Sequence, residues 1–142
     1  MEIIFPKRKN NISTLIFKGG IFPPFLFMEL FFVYNANSGI KVAVIDYFHK
    51  IVHPSTYPCN LCALTHSNLG QRKVWKDFVK KSEINMRFYH IDDFEEKYNL
   101  KKEYPVILKK EERGISTFLN KTQLNKLKTI EDLIDKVEKL SL

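Results

Sequence analysis

The sequence predicts an α/β domain built on a central mixed sheet, and three observations predict it. The run Leu30-Phe31-Phe32-Val33-Tyr34 is apolar at successive positions and closes on turn-forming residues. A helical apolar pattern follows it, and strand-like runs then alternate with further helical ones before a closing hairpin. A strand with apolar side chains on both faces belongs in the interior of a sheet covered on both sides.

Each element has its own local reason. The first strand, residues 30–34, ends at Asn35-Ala36-Asn37-Ser38-Gly39. From Val42 to Val52, Val44, Ile45, Phe48, Ile51 and Val52 fall on one side of a helix, which Pro54 stops. A loop from Pro54 to Pro58 leads into Cys59-Asn60-Leu61-Cys62, and a second helix is expected from Ser67 to Lys81 on Leu69, Val74, Trp75, Phe78 and Val79. Met86–His90 reads as a strand, and Asp92 and Asp93 as caps of a short helix running to Tyr98, since a side-chain oxygen there accepts from unpaired backbone N–H groups. Tyr104–Leu108, opened by Pro105, turns through Glu111–Gly114 into Ile115–Leu119. The last helix starts at Thr129, with Asp132 three residues on, and buries Leu133, Ile134, Val137 and Leu140. The order is β-α-α-β-α-β-β-α.

The 142 residues, 44% hydrophobic and 27% charged, suit one domain; 2 Cys, 5 Gly and 6 Pro exclude disulfide-dense, collagen-like and disordered classes. The formal charge is +7, but most lysines alternate with acids, as in Glu95-Glu96-Lys97, so nucleic acid is not the favoured partner. Lys7, Arg8, Lys9 and Lys18 against Glu2 give residues 1–27 a charge of +3, so residues 28–142 carry +4. That first stretch is aperiodic, with Gly19-Gly20 and Pro23-Pro24, and is expected to be disordered or to precede a true start at Met28; residues 28–142 form the domain. Its apolar part is interrupted by Lys18 and the prolines, which argues against a signal peptide and for a cytoplasmic protein. No uncharged run approaches the roughly 18 residues of a membrane span.

Chemistry concentrates at Cys59 and Cys62. Thiols at this spacing can close a disulfide in a tight turn, and the first is acidified when it stands at a helix N-terminus. Three readings stay open: a redox pair, two buried structural thiols, or ligands of a zinc ion completed by His66 and His49, Cys and His being the usual zinc donors. The favoured reading has no cofactor. A second candidate is the loop Asn35, Asn37, Ser38 and Gly39, at the carboxyl end of a central strand, where open α/β sheets place ligands; its alternative is a plain strand-to-helix turn capped by Asn37 or Ser38. No G-x-x-x-x-G-K-[ST], G-x-S-x-G or H-E-x-x-H motif occurs, so a GTPase or ATPase would lack its central residues.

The segments Phe32-Val33-Tyr34-Asn35-Ala36-Asn37-Ser38-Gly39 and Tyr57-Pro58-Cys59-Asn60-Leu61-Cys62-Ala63-Leu64-Thr65 resemble a family of short, largely uncharacterised proteins with VYNA-x-SG and Y-x-C-x-L-C-x-L-T motifs, some of them labelled GTPases. The likeness covers residues 28–142. The chain is also distantly similar to thioredoxin-like proteins, whose β-α-β-α-β-β-α core matches its element order with the first helical region enlarged. That resemblance implies thiol–disulfide exchange, with Cys59 attacking, Cys62 resolving and Pro105 as the cis-proline beside them. It implies a protein or small-molecule thiol as partner. In thioredoxin-like proteins the cysteines follow the first strand directly; here Asn35–Gly39 holds that place.

Overall fold

A computed structural model describes residues 28–38, 59–67 and 69–142. The expected helix Val42–Val52, the loop Pro54–Pro58, residues 1–27, Gly39, His49 and His53 lie outside the described residues.

Four strands form one mixed sheet. Strand β1 (Glu29–Val33) lies in its interior, parallel to β4 (Asn85–Tyr89) and antiparallel to β5 (Val106–Glu111), which pairs in turn with β6 (Gly114–Leu119). The sheet order is therefore β4-β1-β5-β6. The interior place of β1 follows from its composition, because side chains alternate across a strand and here both faces are apolar. Leu30 and Phe32 enter one layer with Trp75, Ile107, Leu124 and Leu133, whereas Phe31 and Val33 enter the other with Phe94, Val106 and Leu108.

The first layer is covered by α1 (Asn60–Thr65), α2 (Lys73–Lys81), α4 (Lys121–Lys126) and α5 (Ile130–Glu138), and the second by α3 (Ile91–Tyr98). Edge-on and tilted rings tie the helices to the strands: Phe32 meets Trp75 at 5.4 Å, and Phe31 meets Tyr98 at 5.0 Å between centroids. Such aromatic pairs add to the burial of their area.

Thr129 and Asp132 form the expected reciprocal cap of α5, the Thr129 hydroxyl accepting from Asp132 N at 3.2 Å while the Asp132 carboxylate accepts from Thr129 N at 3.0 Å. Three expectations need correction. The helix read as Ser67–Lys81 begins only at Lys73, because His66–Ser67 and Gly70–Gln71 pair as a small hairpin, β2 and β3. Gly70 there takes φ 102°, a left-handed conformation a helix does not continue through. Leu69, placed on that helix's buried side, is 99% exposed at the tip. Second, Asp92 and Asp93 do not cap α3: His90 occupies the cap position, its Nδ1 lying 3.1 Å from Asp93 Oδ2 and making no bond to a backbone N–H of the helix start, and both acids sit in the first turn, where a negative charge favours the helix dipole. Third, the stretch between the hairpin and Thr129 holds a helix that the apolar pattern does not mark, α4, closed by an Asn120–Gln123 capping box.

Candidate functional site

Helix α1 starts at the cysteine pair. Cys59 is its N-cap, with φ −119° and ψ 78°, and its sulfur accepts from the Cys62 N–H at 3.3 Å. The two sulfurs are 2.04 Å apart and the Cα atoms 5.3 Å apart, so the pair is a disulfide closing the first turn of the helix. Of the three chemistries open to Cys-x-x-Cys, this state is the covalent one. Sulfurs bonded to one another offer no thiolate to zinc. Among the described residues no three His, Cys, Asp or Glu side chains converge on a metal position. The pair is also packed: Cys59 is 3% and Cys62 5% exposed, in one core cluster with Leu61, Leu64 and Tyr34.

What fixes the turn is a residue that motif reasoning passes over. Asn60, between the cysteines, donates its side-chain amide to the carbonyls of Leu124, at 2.6 Å, and Leu127, at 2.9 Å. Both are carbonyls at the end of α4, and Leu124 is buried against the same layer. The only sequence signal is an amide residue ahead of Leu61, Cys62, Ala63 and Leu64 in a mostly apolar helix.

His66, the proposed zinc donor, follows α1 directly and is built into a hydroxyl network. Thr65 Oγ1 donates to the Leu61 carbonyl at 2.8 Å, stands 2.8 Å from His66 Nδ1 and 3.4 Å from the Tyr34 hydroxyl. Burial, aided by the positive charge of Arg72, pushes the imidazole down to about 4 and keeps it neutral. Burial, partly opposed by the Thr65 bond, pushes the Tyr34 phenol up.

Pro105 is buried, follows a cis peptide bond from Tyr104, and opens β5 at the carboxyl end of β1, where Val106 pairs with Val33. The Tyr104 hydroxyl donates to Glu95 Oε1 at 2.9 Å and accepts from Lys102 N at 3.2 Å; burial first, then Glu95, pushes it up to about 12.

The loop after β1 is turned inward by its own protein. Ala36 N–H donates to the Tyr34 carbonyl at 2.9 Å, and the Ala36 carbonyl accepts from Ile91 N at 3.0 Å. Ser38 donates its backbone N–H to Asp92 Oδ1 at 2.8 Å and its hydroxyl to Asp92 Oδ2. Burial works against the Asp92 charge, but the two Ser38 bonds and the helix-start N–H groups outweigh it and hold the carboxyl below the usual range. The donors of Ser38 that would grip an anionic ligand thus already grip a carboxylate. Beside the loop, at the carboxyl ends of β1 and β4, a cleft of about 480 Å³ is lined by Tyr34, Phe88, Tyr89, His90, Asp93 and Lys97, among others. Asn35, Asn37 and Ser38 do not line it.

No family description, curated protein or solved structure matches the chain. No helix among the described residues is long and apolar enough to cross a membrane.

Proposed function

We propose that the chain is a thioredoxin-like protein whose Cys59–Cys62 pair cycles between dithiol and disulfide. The observation that carries this is the disulfide itself, closed across the first turn of α1 with Cys59 at the cap and its sulfur facing the Cys62 N–H. In the reduced state that N–H and the helix start favour a thiolate at Cys59. Support from the fold lies in the four-stranded mixed sheet, with β1 parallel to β4 and an antiparallel hairpin beyond it, and in helices on both faces. The Cys59 thiolate attacks a partner disulfide and expels one partner thiolate; Cys62 then attacks the mixed disulfide, releases the second and leaves the Cys59–Cys62 bond. The partner is the disulfide of a protein or of a small-molecule thiol, released as thiol. A cytoplasmic location fits a pair that is reduced again after each turnover, because disulfides there are mostly transient.

Native-state thiol trapping tests the proposal. Mild reductant followed by alkylation, read by mass, is expected to label Cys59 first while circular dichroism stays native. Labelling that appears only after denaturation overturns it.

The near-complete burial of both sulfurs favours one other reading, a binding module in which the pair is a structural crosslink and the cleft beside Tyr34 takes the ligand. On that reading Cys59→Ser lowers stability and leaves ligand binding intact. Zinc content measured on reduced protein tests the third reading, a zinc-stabilised domain using Cys59, Cys62, His66 and His49.

A further inference from the structure

We infer that Asn60 is a positioning residue that holds the two cysteines ready to bond by clamping the start of α1 to the end of α4. This rests on the exchange reaction proposed above. A helix of six residues does not hold its own first turn, since nucleation fixes several backbone angles for a single hydrogen bond. Something outside it must keep Cys59 and Cys62 at bonding distance when the sulfurs part. Asn60 is placed to do this: it stands inside the pair, and its amide donates to two carbonyls 64 and 67 positions along the chain. Two acceptors facing one amide end require the nitrogen there, so the orientation is set by the carbonyls themselves. The anchor is itself fixed, because Leu124 is fully buried and the Asn120–Gln123 box closes the other end of α4.

Holding two thiols in reacting geometry raises their effective concentration, which favours the disulfide over two separate thiols. Removing the clamp therefore shifts the exchange equilibrium toward the dithiol. Two moles of glutathione thiol reduce the Cys59–Cys62 bond, giving two protein thiols and one glutathione disulfide, so a glutathione redox series reads the effect directly. The full chain and its Asn60→Ala variant are equilibrated in that series, trapped and counted by mass. With two side-chain hydrogen bonds lost, the equilibrium constant for disulfide formation is expected to fall about tenfold. Phe94→Leu, in the layer on the opposite face of the sheet, is the control for plain loss of stability and is expected to leave the constant unchanged. If Asn60→Ala does not fold, Asn60→Ser, which keeps a good helix-start residue without the reach to α4, is measured in its place.

An unchanged constant in the folded Asn60 variant, or an equal shift in Phe94→Leu, overturns the inference while leaving the exchange reaction standing. A wild-type pair that exchanges at no glutathione ratio overturns both.

Discussion

His66 illustrates how one side chain's surroundings become a property of the whole chain. Its imidazole sits against Tyr34 and Thr65 at the end of α1, and burial with the nearby Arg72 charge lowers its pKa to about 4, against about 6.5 in an unfolded chain. Between those values the unfolded chain binds a proton that the folded one refuses, so stability falls as pH drops from about 6.5 to about 4 and is fully present above that window. The loss is on the order of 3 kcal/mol across it. Urea midpoints from pH 7.5 to pH 4 measure it, and His66→Gln is expected to flatten that slope. Asp92 works at lower pH with the same sign. Its pKa is depressed, so the bonds from Ser38 contribute above the ordinary carboxylate range near 4 and are lost as acid protonates it. Asp92→Asn should remove that acid limb, at a cost of no more than about 1 kcal/mol at neutral pH because the carboxylate is exposed and screened.

At the scale of elements, the sequence is readable where a single local rule decides and silent where a distant contact does. β1 is plain because four successive strand-forming residues, Leu30–Val33, are apolar, and α5 because Thr129 and Asp132 stand ahead of Leu133 and Val137. α4 buries only Leu124, so it has no apolar period to read, and its one signature is the polar pair Asn120 and Gln123. The misplaced start of α2 has the opposite cause. Leu69 is an apolar residue just ahead of the run Val74, Trp75, Phe78 and Val79, but an apolar pattern carries no record of the positive φ at Gly70 that turns the chain back on itself. The Cys-x-x-Cys motif could be singled out from its spacing, whereas the Asn60 clamp depends on two carbonyls brought close only by the fold. Paired substitutions test this division. Leu69→Ala is expected to change stability by less than about 0.5 kcal/mol, as at other exposed sites, and Leu133→Ala to cost about 2–5 kcal/mol through a core cavity. Thr129→Ala should fall between them, at about 1 kcal/mol for a lost cap. Chemical denaturation of the three variants under one condition ranks them.

For the whole molecule, the question is whether the disulfide or the two apolar layers hold the fold together, because a pair that cycles must open without unfolding its carrier. Cys59 and Cys62 close a loop with a sequence separation of 3, and constraining so short a loop removes little entropy from the unfolded chain, about 2 kcal/mol at most. The layers are far larger. Trp75, Phe31, Phe32 and Phe94 are fully buried, two of them above and two below the same sheet, and each large aromatic removed from such a site costs about 3–5 kcal/mol. The sheet is also tied across long stretches of sequence, β1 to β4 by parallel pairing and β1 to β5 by antiparallel pairing, in registers that leave the cysteines outside the strands. Reduction should therefore leave a cooperative domain standing. Thermal melts followed by near-UV circular dichroism, with and without a phosphine reductant, are expected to keep the aromatic signal and a single transition, with Tm lowered by roughly 4–10 °C. Phe32→Ala in the oxidised protein should lower it further than reduction does. A reduced chain that keeps its far-UV spectrum but loses the near-UV signal would mean that the pair is a structural staple for the layer beneath α1, and would count against any catalytic cycle through a dithiol.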